Sequence, residues 1–143
     1  MKKFNIILIL LLALSTASYS QKITFNITGI KNTIGKIRLA FFTSEKDYKV
    51  ENPKIEKYIN KKDLKNGKIT INFDDIPVGT YGVCVLDDEN SNGKMDYSFF
   101  IPQEGFGFSD YYHSGMSKPK FDNFKFKLDS GKHKTVEIRI RYM

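Results

Sequence analysis

Hydrophobic and polar residues alternate along most of this chain, which is the pattern of β-strands that bury one face. About seven segments show this pattern; in chain order they are 22–28, 35–42, 54–60, 68–73, 81–86, 121–128 and 135–142. The first two follow each other closely enough to predict an antiparallel hairpin. No long helix is indicated. The predicted fold class is therefore all-β, an antiparallel two-sheet β-sandwich of about seven strands.

Two stretches of the chain lack a clear period. Residues 43–65 begin with Ser44 to Asp47, which suit the start of a short helical turn, and contain Pro53, which would end a longer helix. Within this stretch, residues 54–60 fit either a strand or a covering segment. Residues 97–115 are rich in aromatic residues and glycine, and we expect an ordered excursion between strands there.

The connection after the strand at 81–86 carries the strongest candidate chemistry. Side-chain oxygens recur at three alternate positions, and a glycine and a further carboxylate follow. A calcium loop takes side-chain ligands from positions one, three, five and nine, a main-chain carbonyl from position seven, and a glycine at position six. The spacing therefore predicts a calcium site. Its ligands would be Asp88, Asn90, Asn92, Lys94 (by its carbonyl) and Asp96.

This loop departs from helix-loop-helix calcium sites in two ways. Position twelve is Phe99 rather than a bidentate glutamate, and a predicted strand precedes Asp88. A further oxygen would come from Glu104, Asp87, Asp110 or water, and the affinity would fall toward the ~10⁻⁴ to 10⁻³ M range of extracellular modules. The alternative is a plain turn whose Asx side chains bond only to their own backbone. Zinc and copper are disfavoured, since no Cys or His belongs to this oxygen cluster.

The N-terminus has the features of a secretion signal. Two lysines, an apolar run over residues 6–14 and a small-x-small site ending at Ser20 occur in that order. The apolar run is too short to span a bilayer as a helix, although an uncleaved anchor is an alternative. We expect a signal peptide at 1–20, a single domain at 21–143, and an exported protein that is periplasmic, associated with the outer membrane or secreted.

The distribution of charge argues against a nucleic-acid partner, and the cysteine content argues against a disulfide. The formal net charge is +7, but the basic residues, Lys61 among them, are scattered along the chain and predict a solvated face. Nucleic-acid binding would require a cluster or stripe. Cys84 is the single cysteine, so no internal disulfide is expected. We expect its thiol to be buried and inert, because nothing nearby in the sequence would lower its pKa.

Several blocks occur together in an order that resembles a known bacterial family, the domain of unknown function 2141. The blocks are Ile27 to Asn32, Gly35 to Phe42, Ile76 to Tyr81, Asp87 to Asp96 and Ile101 to Ser109. The resemblance implies an exported protein with an immunoglobulin-like or transthyretin-like sandwich. It carries no activity, because none is established for that family.

Three functional interpretations follow. The first is a calcium-stabilised, non-catalytic envelope module that binds a glycan or a protein partner, or is structural. In it, the aromatic rings of residues 97–112 either stack on a ligand or cover one end of the core. The second is a hydrolase-type enzyme using His113 with Glu104 and Asp110, although no nucleophile-elbow glycines surround Ser109. The third is a self-associating adhesive subunit that uses an edge strand. We expect the first, with no catalytic residue.

Overall fold

The computed structural model describes residues 21–143, so the predicted signal peptide at 1–20 lies outside the described residues. Strands far outnumber helices in the described chain, which confirms the all-β class. The strands are β1 (Lys22–Thr28), β2 (Lys36–Phe42), β3 (Ile55–Asn60), β4 (Lys68–Phe73), β5 (Gly79–Asp88), β6 (Tyr97–Ser98), β7 (Ile101–Pro102), β8 (Gly105–Phe108), β9 (Lys125–Leu128) and β10 (His133–Arg139). The helices are α1 (Glu45–Lys49) and α2 (Phe121–Phe124).

The strands form two main sheets. The smaller sheet has the strand order β10-β1-β4. The larger sheet has the strand order β3-β2-β5-β8, and β9 also pairs with the long strand β5. β9 pairs with the first residues of β5, and β8 pairs with its later residues. Strands β6 and β7 form a separate two-stranded hairpin. The segment 55–60 is thus a strand, and it pairs with β2.

The predicted hairpin between the first two strands is wrong. β1 lies in the smaller sheet and β2 in the larger. Each strand buries its own alternating apolar face, and placing the two in opposite sheets lets these faces meet. Phe25 of β1 and Phe41 of β2 show the result, because their rings pack edge to face with centroids 5.7 Å apart.

The predicted antiparallel arrangement fails at one pairing. β1 and β10 run parallel, with Lys22 opposite His133 and Thr28 opposite Arg139. These strands lie near opposite ends of the described chain, so no tight turn constrains their relative direction. The smaller sheet is therefore mixed.

One core lies between the two sheets. Inward-facing residues from both contribute to a single buried cluster, among them Ile27 and Ile138 from the smaller sheet and Leu39 and Val85 from the larger. Burial of apolar side chains of this size contributes roughly 1.5–3 kcal/mol each. This cluster is the main source of stability.

A second apolar cluster covers part of the outer face of the larger sheet. It contains Phe42, Tyr48, Phe108, Phe121 and Phe124. The segment 121–128, predicted as one strand, begins as helix α2 and becomes β9 only at Lys125. The helix places Phe121 and Phe124 on one side, and a Cβ on Gly82 would lie only 2.5 Å from the Phe124 ring. The rings therefore pack directly against the β5 backbone.

Helix α1 begins where the sequence predicts a helical turn. The Ser44 hydroxyl accepts a hydrogen bond from the Asp47 N–H at 3.1 Å, which is an N-cap. The helix buries Tyr48 in the second cluster. Among the described residues, no helix is long and apolar enough to cross a membrane.

Candidate functional site

The predicted metal loop leaves the end of strand β5 and turns around Asp88. This carboxylate is buried, and it accepts hydrogen bonds from the main-chain N–H groups of Asn92 (3.1 Å) and Gly93 (2.8 Å). Gly93 has φ +76°, and Ser91 has φ +58°. The chain thus wraps tightly around one carboxylate, as the glycine in the motif predicts.

The other predicted side chains lie in the same loop and bond to one another. The amide NH₂ groups of Asn90 and Asn92 both donate to one carboxylate oxygen of Asp96, at 2.5 and 3.0 Å. The Asn92 side-chain oxygen accepts from the Lys94 N–H at 2.8 Å, and the Lys94 side chain is exposed. The structure therefore brings the five predicted residues together in one loop.

Glu104, one of the proposed sources of a further oxygen, joins this loop from the start of β8. Its carboxylate accepts from the Glu89 N–H at 3.1 Å and from the Asp96 N–H at 3.3 Å, so it contacts both ends of the loop. Glu104 is buried. This burial raises the pKa of its carboxyl group, and the nearby carboxylates of Asp88 and Asp96 raise it further.

The two other carboxylates considered as ligands bond elsewhere. Asp87 is fully buried and forms an ion pair with Lys61, and it also accepts a hydrogen bond from the Tyr142 hydroxyl. Asp110 accepts from the Glu137 N–H at 2.8 Å and lies 3.2 Å from the Lys134 ammonium. Among the three candidate carboxylates, the hydrogen bonds connect only Glu104 to the loop.

The burial of Lys61 corrects the prediction that the lysines form a solvated face. Its side chain is fully buried, and it donates to the Ile34 carbonyl as well as pairing with Asp87. Asp87 continues the inward-facing positions of Val83 and Val85 on β5. The strand therefore places a buried negative charge at one end of the core, and the Lys61 ammonium group compensates for it.

The donor set of the loop suits a hard cation such as calcium. It consists of carboxylate and amide oxygens and main-chain carbonyls. Within residues 21–143, no group of three His, Cys, Asp or Glu side chains is close enough together to hold a metal ion. A calcium ion would therefore need the oxygens of Asn90 and Asn92 as ligands. The Asn amide groups that now donate to Asp96 would have to turn.

The aromatic segment after the loop divides into two parts. Phe106, Phe108 and Tyr111 pack into the second apolar cluster. Phe99 and Phe100 form the two-residue turn of the β6–β7 hairpin, and their side chains are 93% and 99% exposed. The later aromatic residues thus cover one end of the core as one of the two explanations predicts, whereas Phe99 and Phe100 are exposed.

The turn at Phe99 and Phe100 has an unusual backbone. Their φ angles are +47° and +66°, the sign that a type I′ hairpin turn requires at both central positions. Asn and Gly are the usual residues there, and a bulky side chain at positive φ costs free energy. The structure therefore holds two phenylalanine side chains in solvent at an energetic cost.

A groove of about 670 Å³ runs over the outer face of the larger sheet. The predicted metal loop and the hairpin both line it, through residues that include Met95 and Phe100, and the segment 113–119 contributes to the lining as well. Arg38 and Cys84 lie on the outer face of β2 and β5 and line it too. Its volume lies within the roughly 300–1,000 Å³ of small-molecule pockets.

Sequence reasoning missed this groove and its polar residues Arg38 and Tyr48. The one available signal was Arg38 at an outward position of an otherwise apolar strand. Cys84 is half-buried in the groove rather than enclosed in the core. Burial raises the pKa of its thiol.

The residues of the hydrolase alternative bond to different partners. A ring nitrogen of His113 contacts the Ser117 carbonyl, whereas Glu104 bonds to the loop and Asp110 to β10. The Ser109 hydroxyl donates to the Phe124 carbonyl at 2.6 Å and accepts from the Val83 N–H at 2.9 Å. Ser109 therefore ties α2 to β5.

Comparison with known proteins identifies a family. The family model described as "Uncharacterized protein conserved in bacteria (DUF2141)" matches residues 25–137. This match covers more than half of the chain, and the chain belongs to that family. No curated protein and no solved structure matches it.

Proposed function

We propose that this DUF2141 protein is an exported, non-catalytic envelope module that a calcium ion stabilises and that binds a glycan or protein partner through its aromatic hairpin. The observation that carries the proposal is the position of Glu104. This buried carboxylate reaches back from β8 and contacts both ends of the loop that the sequence predicts as a metal site. When calcium binds, this carboxylate would take the place of the acidic residue that position twelve lacks.

Calcium would offset an electrostatic cost in this loop. The carboxylates of Asp88 and Asp96 are near enough to Glu104 to raise its pKa, so three like charges share a partly buried region. A divalent cation would favour their ionised forms. Its binding would stabilise the folded protein by mass action, because the unfolded chain does not assemble the site.

The hairpin is the part of the module that we assign to partner binding. It directly follows the metal loop in the chain, so a cation in the loop would hold its base. The exposed Phe99 and Phe100 rings could stack on sugar rings or insert into an apolar cleft of a protein. Exposed adjacent aromatic residues of this kind are typical of interaction sites.

We further propose that the fold is an immunoglobulin-like or transthyretin-like sandwich. The support is the single core shared by the two main sheets and the turn at Pro77 to Tyr81, where the Tyr81 hydroxyl donates to the Pro77 carbonyl at 2.9 Å. The proposal of export rests on the sequence features of residues 1–20.

Calcium titration tests the metal site. We would strip residues 21–143 with chelator, titrate calcium by calorimetry, and record thermal unfolding in parallel. We expect one site with a dissociation constant of ~10⁻⁴ to 10⁻³ M, and a stabilisation of about 2.7 kcal/mol at a hundredfold excess over that constant. Glu104→Gln should weaken binding about tenfold, and Asp88→Ala should abolish it.

Asp129→Asn is the matched control, because Asp129 is an exposed carboxylate in the turn before β10, paired only with Lys127. It should leave calcium binding unchanged. An absence of binding at about 10 mM calcium, with the protein folded, would reduce the loop to an Asx turn. Glu104→Gln keeps the test valid if Asp88→Ala fails to fold.

A further inference from the structure

We propose that the groove on the outer face of the larger sheet binds a single-chain carboxylate amphiphile, with its chain along the apolar lining and its carboxylate at Tyr48 and Arg38. This small-molecule site goes beyond the proposed function, because it requires neither calcium nor the partner of the hairpin.

The first support is an unsatisfied hydroxyl group. Tyr48 lines the groove and is only 4% exposed, yet its hydroxyl has no hydrogen-bond partner among residues 21–143. A buried polar group without a partner destabilises the fold, so a ligand group that accepts from this hydroxyl would be favoured here. Burial raises the pKa of Tyr48, which keeps the hydroxyl protonated and able to donate.

The second support is an unpaired donor from the neighbouring strand. The Nε–H of Arg38 is buried and has no partner in the described part of the chain, while a terminal nitrogen of the same guanidinium pairs with Glu56. Arg38 lies opposite Leu86 in the register between β2 and β5, one diagonal step from Cys84. The oxygens of a carboxylate can accept from a guanidinium and a phenol together.

The charges around the groove also favour an anion. Arg38, Lys94 and Lys118 line it together with the carboxylates Glu51 and Glu56. Both carboxylates are already paired, Glu56 with Arg38 and Glu51 with Lys118. Lys94 makes no ion pair within residues 21–143, which leaves an excess of positive charge. A ligand carboxylate would complement that excess.

The lining also contains several adaptable apolar side chains. Leu86, Met95, Phe100, Phe106, Met116 and Met143 are among its residues. Methionine side chains adjust to the shape of a flexible chain. Polar side chains line other parts of the groove, among them Tyr58, Asn92 and His113. An acyl chain would lie along the apolar residues and place its polar end at Tyr48 and Arg38.

Binding of dodecanoate to residues 21–143 tests the proposal, with dodecyltrimethylammonium as a cationic probe of equal chain length. Both are titrated by calorimetry below their micellar concentrations, with calcium and again with chelator. We expect one dodecanoate site and at least tenfold weaker binding of the cation. Tyr48→Phe should lower dodecanoate affinity about tenfold while leaving the melting temperature unchanged or higher, because the lost hydroxyl has no partner in the free protein.

Tyr112→Phe is the matched control, since Tyr112 is half-exposed and lies outside the groove lining. It should leave dodecanoate affinity unchanged. Equal affinity for the two probes, or an unchanged affinity in Tyr48→Phe, would mean unspecific apolar adsorption and would overturn the proposal. If dodecanoate binds but calcium does not, the groove site is upheld and only the proposed metal site is refuted.

Discussion

Single residues of this protein show how position in the fold overrides residue type. Lys61 is fully buried, although lysine is among the residues least often buried. It is stable there because it pairs with Asp87 and donates to the Ile34 carbonyl, and because the Tyr142 hydroxyl bonds to the same carboxylate. A buried ion pair adds little net stability, but the loss of one partner is costly.

We therefore expect Lys61→Ala to lower the free energy of unfolding by about 3–5 kcal/mol, because Asp87 would remain buried without its countercharge. The double variant Lys61→Met with Asp87→Leu removes both charges, and it should recover most of that loss. Lys62→Ala, at the exposed neighbouring position, is the control and should change stability by less than about 0.5 kcal/mol. Denaturant unfolding measures all three. A loss below about 1 kcal/mol in Lys61→Ala would show that the pair is unimportant.

At the scale of elements, the β6–β7 hairpin has a turn conformation that its two phenylalanine residues disfavour. Each of its strands has two residues, and its turn has positive φ at two phenylalanines. Local preferences would place Asn-Gly there. Strain that persists at an exposed site commonly serves a function, which agrees with our assignment of the hairpin to partner binding.

The double substitution Phe99→Asn with Phe100→Gly should stabilise the protein by about 1 kcal/mol, because both residues tolerate the turn geometry. The same variant should lose binding on a glycan array or to a protein partner. Tyr112→Ser removes an exposed aromatic ring elsewhere and serves as the control. A fall in unfolding free energy would show that the rings support the fold, and retained binding would exclude the hairpin as the contact surface.

At the scale of the whole molecule, the two main sheets depend on one another. Ile138 of β10 is 1% exposed, and its Cγ2 lies 2.7 Å from where a Cβ on Gly107 of β8 would be. The smaller sheet therefore contacts the backbone of the larger one directly. A shared core of this kind predicts a single cooperative unfolding transition.

Ile138→Ala should lower the free energy of unfolding by about 2–5 kcal/mol through the cavity it leaves. Amide hydrogen exchange should show the same loss of protection in β1 of the smaller sheet and β5 of the larger. Thr135→Ala, at an exposed position of β10, should change neither. A loss confined to β1 and β10 would mean that the sheets unfold separately.

The sequence alone determined the all-β class and most strand positions, and it predicted the residues of the proposed metal loop. Alternation of polar and apolar residues is local information, and so is the spacing of Asp88, Asn90, Asn92 and Asp96 along the loop. Tertiary contacts decided the direction of the strands and the partners of β1. They also decided that the first part of the predicted strand at 121–128 is helix α2.

The same division applies to the candidate sites. The sequence left Glu104, Asp87, Asp110 and water as candidates for a further metal ligand. The fold connected Glu104 to the loop, and it buried Asp87 against Lys61. The groove with Tyr48 and Arg38 was decided by tertiary structure alone. Its residues come from strands, a helix and loops far apart in the chain, and only packing between these elements brings them together.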